Sequence, residues 1–354
     1  MKKASIVSLL LLSFFVFQYC SKKDDTATTA TTTTSPNLPS TTYSYVVSYP
    51  NFIQTSLSLN DNTPANNAIT NDGATLGRVL FYDKQLSKNN TISCGSCHKQ
   101  SEAFDDDIAL SKGFESGLTS RNSMAVLNVR FYKSGKMFWD ERAATLENQV
   151  LQPIQNHVEM GLTLTELVTK VSSLSYYPSL FQKAFGSTAI DTTKIARALS
   201  QYCRSIVTYQ SKYDSVKTGI TNFTTLEAQG EQVFLNAGAN TCASCHTPPM
   251  FITSTPQVGF GLADPNDVGI NGSNRFKSGS LRNIGLRKTL FHNGSVASLQ
   301  DMLTATPGIP AHTVAPPSVN ALIAFLNTLT DYTVLKEPSF LIHLISSLIF
   351  YTFV

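Results

Sequence analysis

Runs of charge and long apolar segments are both scarce in this chain. Only 14% of its 354 residues are charged, and the formal net charge of +3 includes no basic stripe, so neither nucleic acid nor an anionic membrane surface is predicted as a partner. The apolar segments near the two ends, residues 6–17 and 340–354, are shorter than the ~20 residues that a membrane-spanning helix needs. Strand-like alternation of apolar and polar residues is also rare.

The N-terminus has the features of an export signal. Lys2 and Lys3 precede the apolar segment, which predicts that residues 1–20 are a signal peptide and that the mature protein is periplasmic. Cys20 stands at the start of a Thr- and Ser-rich tract over 21–50, a composition typical of a disordered tether. Cys20 could carry the lipid of a lipoprotein, but Tyr19 stands where that signal usually has a small residue. The alternative is an ordinary cysteine that is removed with the signal.

Between these ends apolar residues recur at helical spacing, so the fold is predicted to be mainly α with long loops. Capping boxes at Thr163 and Glu166 and at Thr224 and Glu227 predict two helix starts. Asp140 is predicted to cap another helix, which Pro153 limits. Two apolar stripes indicate further helices, and they consist of Ile195, Leu199, Tyr202 and Ile206 and of Leu322, Phe325, Leu326 and Leu329.

Four of the six cysteines fall in two pentapeptides of one pattern, CGSCH at 94–98 and CASCH at 242–246. In CxxCH, two thiols add covalently to the porphyrin and the histidine that follows can ligate its iron, so the pattern is the attachment signal of c-type haem. A zinc ribbon would place its CxxC pairs much closer together, and a redox CxxC would not need the histidine twice. Two covalently bound haem c groups are therefore predicted. Their protein ligands are Cys94, Cys97, His98, Cys242, Cys245 and His246.

One haem motif in each half of the chain predicts two cytochrome c-like haem domains. A polar stretch before the second motif divides a first haem domain over 51–212 from a second over 213–335. Residues 336–354 remain as an apolar tail without an assigned role. A helix packed on the core, a sequence artefact and a membrane contact are the alternatives for it.

The segments around the two motifs resemble those of the bacterial di-haem cytochrome c peroxidases, a superfamily that also includes MauG-like enzymes. The resemblance covers roughly residues 76–329 and keeps the family order. The matching segments are GRVLFYD at 77–83, RNS at 121–123, FWDER at 138–142, LENQ at 146–149, EMG at 159–161, LRN at 281–283 and FHNG at 291–294.

In that family the first haem binds peroxide. The resemblance implies that His98 is its proximal ligand, that Glu159 is the distal acid/base and that Gln149 orients peroxide. A carboxylate can move the proton that accompanies O–O cleavage, and an amide can stabilise charge on oxygen. Trp139, the only tryptophan, is implied to lie between the haems and to serve electron transfer. The implied activity is reduction of hydrogen peroxide to water with electrons from a small c-type cytochrome or cupredoxin.

The resemblance also implies a calcium ion between the two domains. Asn122 matches its side-chain ligand, and the carbonyl groups of Arg287 and Thr289 match backbone ligands. Such oxygen donors suit calcium. His292 is implied to be a non-ligating pocket residue near the second haem. A homodimer is the oligomeric state that we consider for this protein.

Two positions depart from the family pattern. The methionine that usually ligates the second haem is replaced by Thr306. We consider Met302, one turn earlier, or a residue of 307–317 as the substitute ligand.

In many relatives a histidine after the first motif ligates the first haem, and here its place falls on Phe114. The sixth position of the first haem is therefore predicted to be open in the oxidised protein, with His157 as the only nearby histidine that could fill it.

Two other functions stay open. One is a tyrosine-ligated di-haem enzyme that oxidises a protein or an organic substrate, although position 306 holds threonine rather than tyrosine. The other is a non-enzymatic di-haem electron carrier, which would have no use for the Gln149 and Glu159 pair.

Overall fold

The computed structural model describes residues 35–39, 41–236, 242–253, 267–304, 312, 314–341 and 344–345. Across these residues the regular structure is almost wholly helical, which confirms the mainly α fold. No described helix is both long and apolar enough to cross a membrane. The predicted signal peptide, Cys20 and most of the apolar tail lie outside the described residues, as does Thr306.

The helices and strands are distributed along the whole described chain. The α-helices are α1 (Asn51–Asn60), α2 (Asn71–Tyr82), α3 (Cys94–Cys97), α4 (Leu146–Gln149), α5 (Gln152–Gln155), α6 (Leu164–Ser173), α7 (Tyr177–Phe185), α8 (Thr192–Ser205), α9 (Lys212–Lys217), α10 (Thr225–Asn236), α11 (Cys242–Cys245), α12 (Leu299–Leu303) and α13 (Pro316–Asn327). Short 3-10 turns span Ala65–Asn67, Lys84–Leu86, Gln100–Glu102, Val129–Phe131, Ile270–Gly272, Ile284–Leu286 and Pro338–Phe340. Two antiparallel strands, β1 (Ser35–Pro36) and β2 (Leu344–Ile345), pair Ser35 with Ile345.

The first half is built on the packing of α2 against α8. Thr70 caps α2, since its hydroxyl accepts a hydrogen bond of 3.0 Å from the backbone N–H of Gly73. The first predicted apolar stripe is buried along α8 and at Ile206, the residue that follows the helix. The two backbones touch at Gly77, where a Cβ would lie 2.0 Å from the carbonyl oxygen of Ala198. Only glycine permits this approach.

The second half repeats the same arrangement with α10 and α13. The predicted capping box is confirmed, because the Glu227 carboxylate accepts a hydrogen bond of 2.7 Å from the backbone N–H of Thr224. The second apolar stripe is buried along α13 and just beyond its end. A Cβ at Gly230 would lie 1.9 Å from the carbonyl oxygen of Ala321, so a glycine again joins the helix pair. The capping box of α6, at Thr163, is confirmed as well.

Buried apolar side chains form separate clusters in the two halves. One cluster runs from Tyr45 to Ile206 and also takes in Val334, and the other runs from Tyr213 to Leu329. The start of the apolar tail lies on the first cluster: the ring of Phe340 is 6.1 Å from that of Phe104. The tail therefore begins as a packed 3-10 turn and not as a helix.

One predicted helix boundary was wrong. The helix begins at Leu146 with Thr145 as its cap, five residues after the predicted cap, and Asp140 lies in the preceding loop. Phe138 and Glu141 both have positive φ, of 72° and 57°, which a helix does not tolerate. Asp140 forms ion pairs in this loop and so is drawn away from a capping role.

Candidate active site

The first haem motif forms the short helix α3 and the residue that follows it. Ser93 caps the helix, where its backbone N–H donates to the Ser96 hydroxyl at 3.0 Å. The His98 backbone N–H donates to the carbonyl oxygen of Cys94 at 2.9 Å. Cys94 and Cys97 are free thiols, and both line one cavity together with the imidazole of His98.

His98 is prepared to act as a metal ligand. Its Nδ1 lies 3.3 Å from the carbonyl oxygen of Phe104, to which only a protonated Nδ1 can donate. The lone pair then resides on Nε2, the atom that would bind iron. Burial also lowers the pKa of His98, so its imidazole is neutral at physiological pH.

The second haem motif has the same local construction. The His246 backbone N–H donates to the carbonyl oxygen of Cys242 at 2.8 Å, and the Nδ1 of His246 lies 3.1 Å from the carbonyl oxygen of Gly279. Burial lowers the pKa of His246 to about 4, which keeps this imidazole neutral too. Cys242 and Cys245 are free thiols. Each motif thus offers two thiols and one neutral imidazole, the donor set that covalent haem requires.

The cavity beside α3 has a volume of about 400 Å³. It gathers residues that are distant in sequence, from the first motif to the loop before α6. The site residues predicted from sequence that line it are Cys94, Cys97, His98, Asn122, Trp139, Gln149 and Glu159. The first haem motif and the implied peroxide-handling residues therefore face one space. A haem attached to the motif fits this combination of ligands, apolar walls and a carboxyl group.

Glu159 is held over this cavity by its own backbone. Its N–H donates to the side-chain oxygen of Asn156 at 3.3 Å, and its carbonyl oxygen accepts from the N–H of Phe114 at 3.0 Å. Burial raises the pKa of the Glu159 carboxyl, and the positive charge of Arg142 opposes that rise. A carboxyl group with a raised pKa can accept a proton and return it near neutral pH.

Phe114 lies in the loop that carries a histidine in many relatives. Its ring occupies the space over Gly161, where a Cβ would meet the ring carbon at 2.6 Å. Gly161 has a φ of +72°, so glycine is favoured there on backbone grounds as well. His157 also lines the cavity, but its side chain is exposed. The open sixth position of the first haem stays a prediction.

Trp139 is fixed by contacts to both halves of the chain. Its indole Nε1 donates to the carbonyl oxygen of Asn122 at 2.8 Å. Its own carbonyl oxygen accepts a hydrogen bond of 2.8 Å from the N–H of Lys277. The backbone N–H of Asn122 donates in turn to the carbonyl oxygen of His292 at 2.7 Å. The tryptophan therefore sits on the seam between the two halves, and its position between the haems stays a prediction.

The residues implied for calcium are partly brought together. The Asn122 amide nitrogen donates to the Thr289 hydroxyl at 2.8 Å, so these two meet across the seam. The side chain of Arg287 turns to Asp105, with 3.5 Å between Nε and a carboxylate oxygen. Among the described residues no cluster of three or more His, Cys, Asp or Glu side chains could hold a metal ion. A calcium ion would depend on amide and carbonyl oxygens.

Two implied neighbours of the second haem have apolar surroundings. Met302 packs against the second hydrophobic cluster. His292 is buried and stacks on Phe276, with 3.8 Å between ring centroids and 7° between planes. Its Nε2 lies 3.8 Å from the Asp267 carboxylate.

Two charged side chains of the cavity wall, Arg142 and Lys277, had no role predicted from the sequence. Arg142 stands over the Phe138 ring at 3.6 Å and acts electrostatically on Glu159. Lys277 is buried with its ammonium nitrogen 3.5 Å from the centroid of the Tyr132 ring, and burial lowers its pKa to about 7. The FWDER segment contained a signal for Arg142, whereas nothing local marks Lys277.

The chain is similar in sequence to known di-haem enzymes. The sequence model of the di-haem cytochrome c peroxidases matches residues 71–222. Cytochrome c551 peroxidase of Nitrosomonas europaea is 34% identical over 283 residues, which are 76% of this chain and 82% of the relative. The chain belongs to the di-haem cytochrome c peroxidase family. Two haem c groups follow from this membership.

MauG-like proteins are also similar to the chain. The methylamine utilization protein MauG of Methylophilus methylotrophus is 29% identical over 249 residues, covering 68% of this chain and 73% of the relative. The crystal structure of a MauG-like protein associated with microbial copper homeostasis has a TM-score of 0.68 at 27% identity, covering 79% of this chain and 95% of that one. The similarity therefore extends over both haem motifs and the cavity.

Proposed function

We propose that this protein is a periplasmic peroxidase that reduces hydrogen peroxide to water in the cavity beside the first haem motif. The observation that carries the proposal is that one cavity holds the thiols of Cys94 and Cys97, the imidazole of His98 and the side chains of Gln149 and Glu159. A plain electron carrier needs the first three and has no need of the last two.

The chain's own groups divide the work of peroxide reduction. The haems, when bound, supply an iron that accepts peroxide and the two electrons that its reduction consumes. His98 holds the first haem through Nε2. Glu159 would take a proton from one oxygen of peroxide and return it to the other, so that this second oxygen can leave as water. Gln149 orients peroxide by hydrogen bonding. Two electrons and two protons convert each peroxide to two waters.

The second haem motif is proposed as the entry point for electrons from a small c-type cytochrome or cupredoxin. One loop links the two sites, because Gly279 lines the first cavity while its carbonyl oxygen fixes the tautomer of His246. Trp139 lies on the same seam and gives the transfer an aromatic group. A bound calcium ion, ligated by Asn122 and by the carbonyl oxygens of Arg287 and Thr289, would stabilise this seam.

A second candidate function is oxidation of a protein or organic substrate. The similarity to MauG favours it. Against it stands Thr306, because the related enzymes have tyrosine at this position.

The deciding experiment is steady-state turnover of the holoprotein with hydrogen peroxide and a reduced small c-type cytochrome. We expect peroxide-dependent oxidation of the cytochrome, two equivalents for each peroxide. The matched control is the double variant Cys242→Ser and Cys245→Ser, which cannot attach the second haem and should lose donor oxidation while it keeps the first haem. A wild-type protein with both haems attached and no peroxide-dependent donor oxidation would contradict the proposal.

A further inference from the structure

We propose that His312 is the sixth ligand of the second haem, opposite His246, so that two imidazoles hold this iron. The inference shares one assumption with the proposed function, namely that the second motif binds a haem. Of the two alternatives considered from sequence, it favours the segment 307–317, to which His312 belongs, over Met302.

The position of His312 is defined by two contacts. Its backbone N–H donates to the carbonyl oxygen of Met302 at 2.9 Å, so the residue lies beside the end of α12 where the ligand was sought. Its ring lies 5.7 Å from the ring of Phe291, with 36° between the planes. Phe291 packs against the second hydrophobic cluster, and so does Cys242. The imidazole and the haem-attaching thiol thus border the same apolar core.

The proximal ligand of the second haem has one ring nitrogen available for iron. The Nδ1 of His246 is committed to the carbonyl oxygen of Gly279, which leaves Nε2 as its ligating atom. Burial favours the neutral form of His312 too, and neutral imidazole is the form that binds iron.

Met302 is less suited to this role. Its side chain belongs to the apolar packing of the second cluster, and it meets His312 through its backbone carbonyl oxygen. Between His292 and the apolar tail, His312 is the only histidine of the chain. His312 is therefore the one imidazole that this part of the chain could offer to iron in place of the methionine of relatives.

The exchange of ligand changes the redox behaviour of the second haem. Methionine as the axial partner of histidine raises the haem potential, and a second histidine does not. The second haem would then have a lower potential than a histidine–methionine haem in the same protein environment. It would be harder to reduce and, once reduced, a stronger electron donor to the first haem.

The test is near-infrared magnetic circular dichroism of the oxidised holoprotein, in which bis-imidazole and imidazole–thioether haems have different charge-transfer bands. We expect a bis-imidazole band in the wild type and its loss in His312→Ala. Met302→Leu keeps the packing volume and should leave the band unchanged. His312→Met should raise the reduction potential of the second haem.

An imidazole–thioether band in the wild type that survives His312→Ala and disappears in Met302→Leu would overturn the proposal. If His312→Ala does not fold, His312→Met decides, because the bis-imidazole band should then give way to an imidazole–thioether band. The outcome is independent of catalysis, since the band is recorded without peroxide. Loss of peroxide turnover with an intact bis-imidazole band would refute the proposed function and leave the ligand assignment standing.

Discussion

The indole Nε1 of Trp139 donates a hydrogen bond of 2.8 Å to the backbone carbonyl oxygen of Asn122. The side chain of Asn122 reaches Thr289 in the other half, and its backbone N–H reaches His292. One residue thus orients the only tryptophan and joins the two halves. Anything that moves Asn122 should therefore be detected at Trp139.

Removal of calcium should disturb this arrangement. If a calcium ion is bound through Asn122, chelation should lower peroxide turnover with cytochrome as donor and change the emission of Trp139, and added calcium should restore both. Asn122→Ala should make turnover insensitive to the chelator. Peroxide turnover and Trp139 emission that stay unchanged when the chelator is added to the wild type would argue against calcium at this seam.

Replacement of the cavity carboxyl should abolish most of the activity. We expect Glu159→Gln to keep both haems and to lose about 10² to 10⁴ in turnover, because the amide cannot accept the peroxide proton. Glu115→Gln makes the same chemical change at an exposed position of the neighbouring loop and should keep full activity. Equal activities of the two variants would remove Glu159 from the mechanism.

Arg142 should set the acid limit of the pH profile. Glu159 must be ionised to accept a proton, so activity falls as the pH drops through its raised pKa. The charge of Arg142 lowers that pKa, and Arg142→Gln should move the acid limb of kcat/KM to higher pH. Arg130→Gln removes an arginine that pairs with Asp61 and should leave the limb in place. A limb unmoved in Arg142→Gln would contradict this electrostatic coupling.

The first haem should react without prior reduction. Phe114 has no lone pair to give to iron, so we expect a high-spin first haem in the fully oxidised protein and direct reaction with peroxide. The spectrum should be the same in His157→Ala. Two low-spin, six-coordinate haems in the oxidised wild type would defeat this prediction, and their reversal in His157→Ala would identify the ligand.

A buried ion pair should dominate the stability of the second half. Arg282 and Asp214 are both buried and share two hydrogen bonds, of 2.7 and 2.8 Å. Asp214→Ala leaves the guanidinium without its partner, at a cost of about 3–5 kcal/mol in the free energy of unfolding. Glu231→Ala breaks a more exposed pair with Lys217 and should cost less than about 1 kcal/mol. Denaturant unfolding of the holoproteins measures both, and similar costs would contradict the prediction.

Local sequence patterns were sufficient to predict much of the local structure of this molecule. The two CxxCH segments form matching turns because their short-range hydrogen bonds are encoded in five residues. The capping boxes at Thr163 and Thr224 are correct for the same reason. The apolar stripe of α13 is buried as its spacing predicts.

The features that the sequence did not reveal depend on distant contacts. Asp140 has the chemistry of a helix cap, but Arg121 and Arg142 hold it in a loop. The segment 307–317 was considered from sequence as a source of the ligand, but His312 could be chosen within it only because its backbone returns to Met302, ten positions earlier. Lys277 is buried on the cavity wall through contacts with Tyr132 and Lys136, which no local pattern connects to it.

The contacts of Phe340 have a consequence for the order in which the chain folds. Its carbonyl oxygen accepts hydrogen bonds from the hydroxyls of Tyr82 and Tyr202, at 2.7 and 2.8 Å, on the two helices that build the first half. During synthesis these hydroxyls have no such acceptor until residue 340 emerges. Cys94 and Cys97 thus belong to the half whose hydrogen bonds are complete only when residue 340 is in place. The half that is made first is completed last.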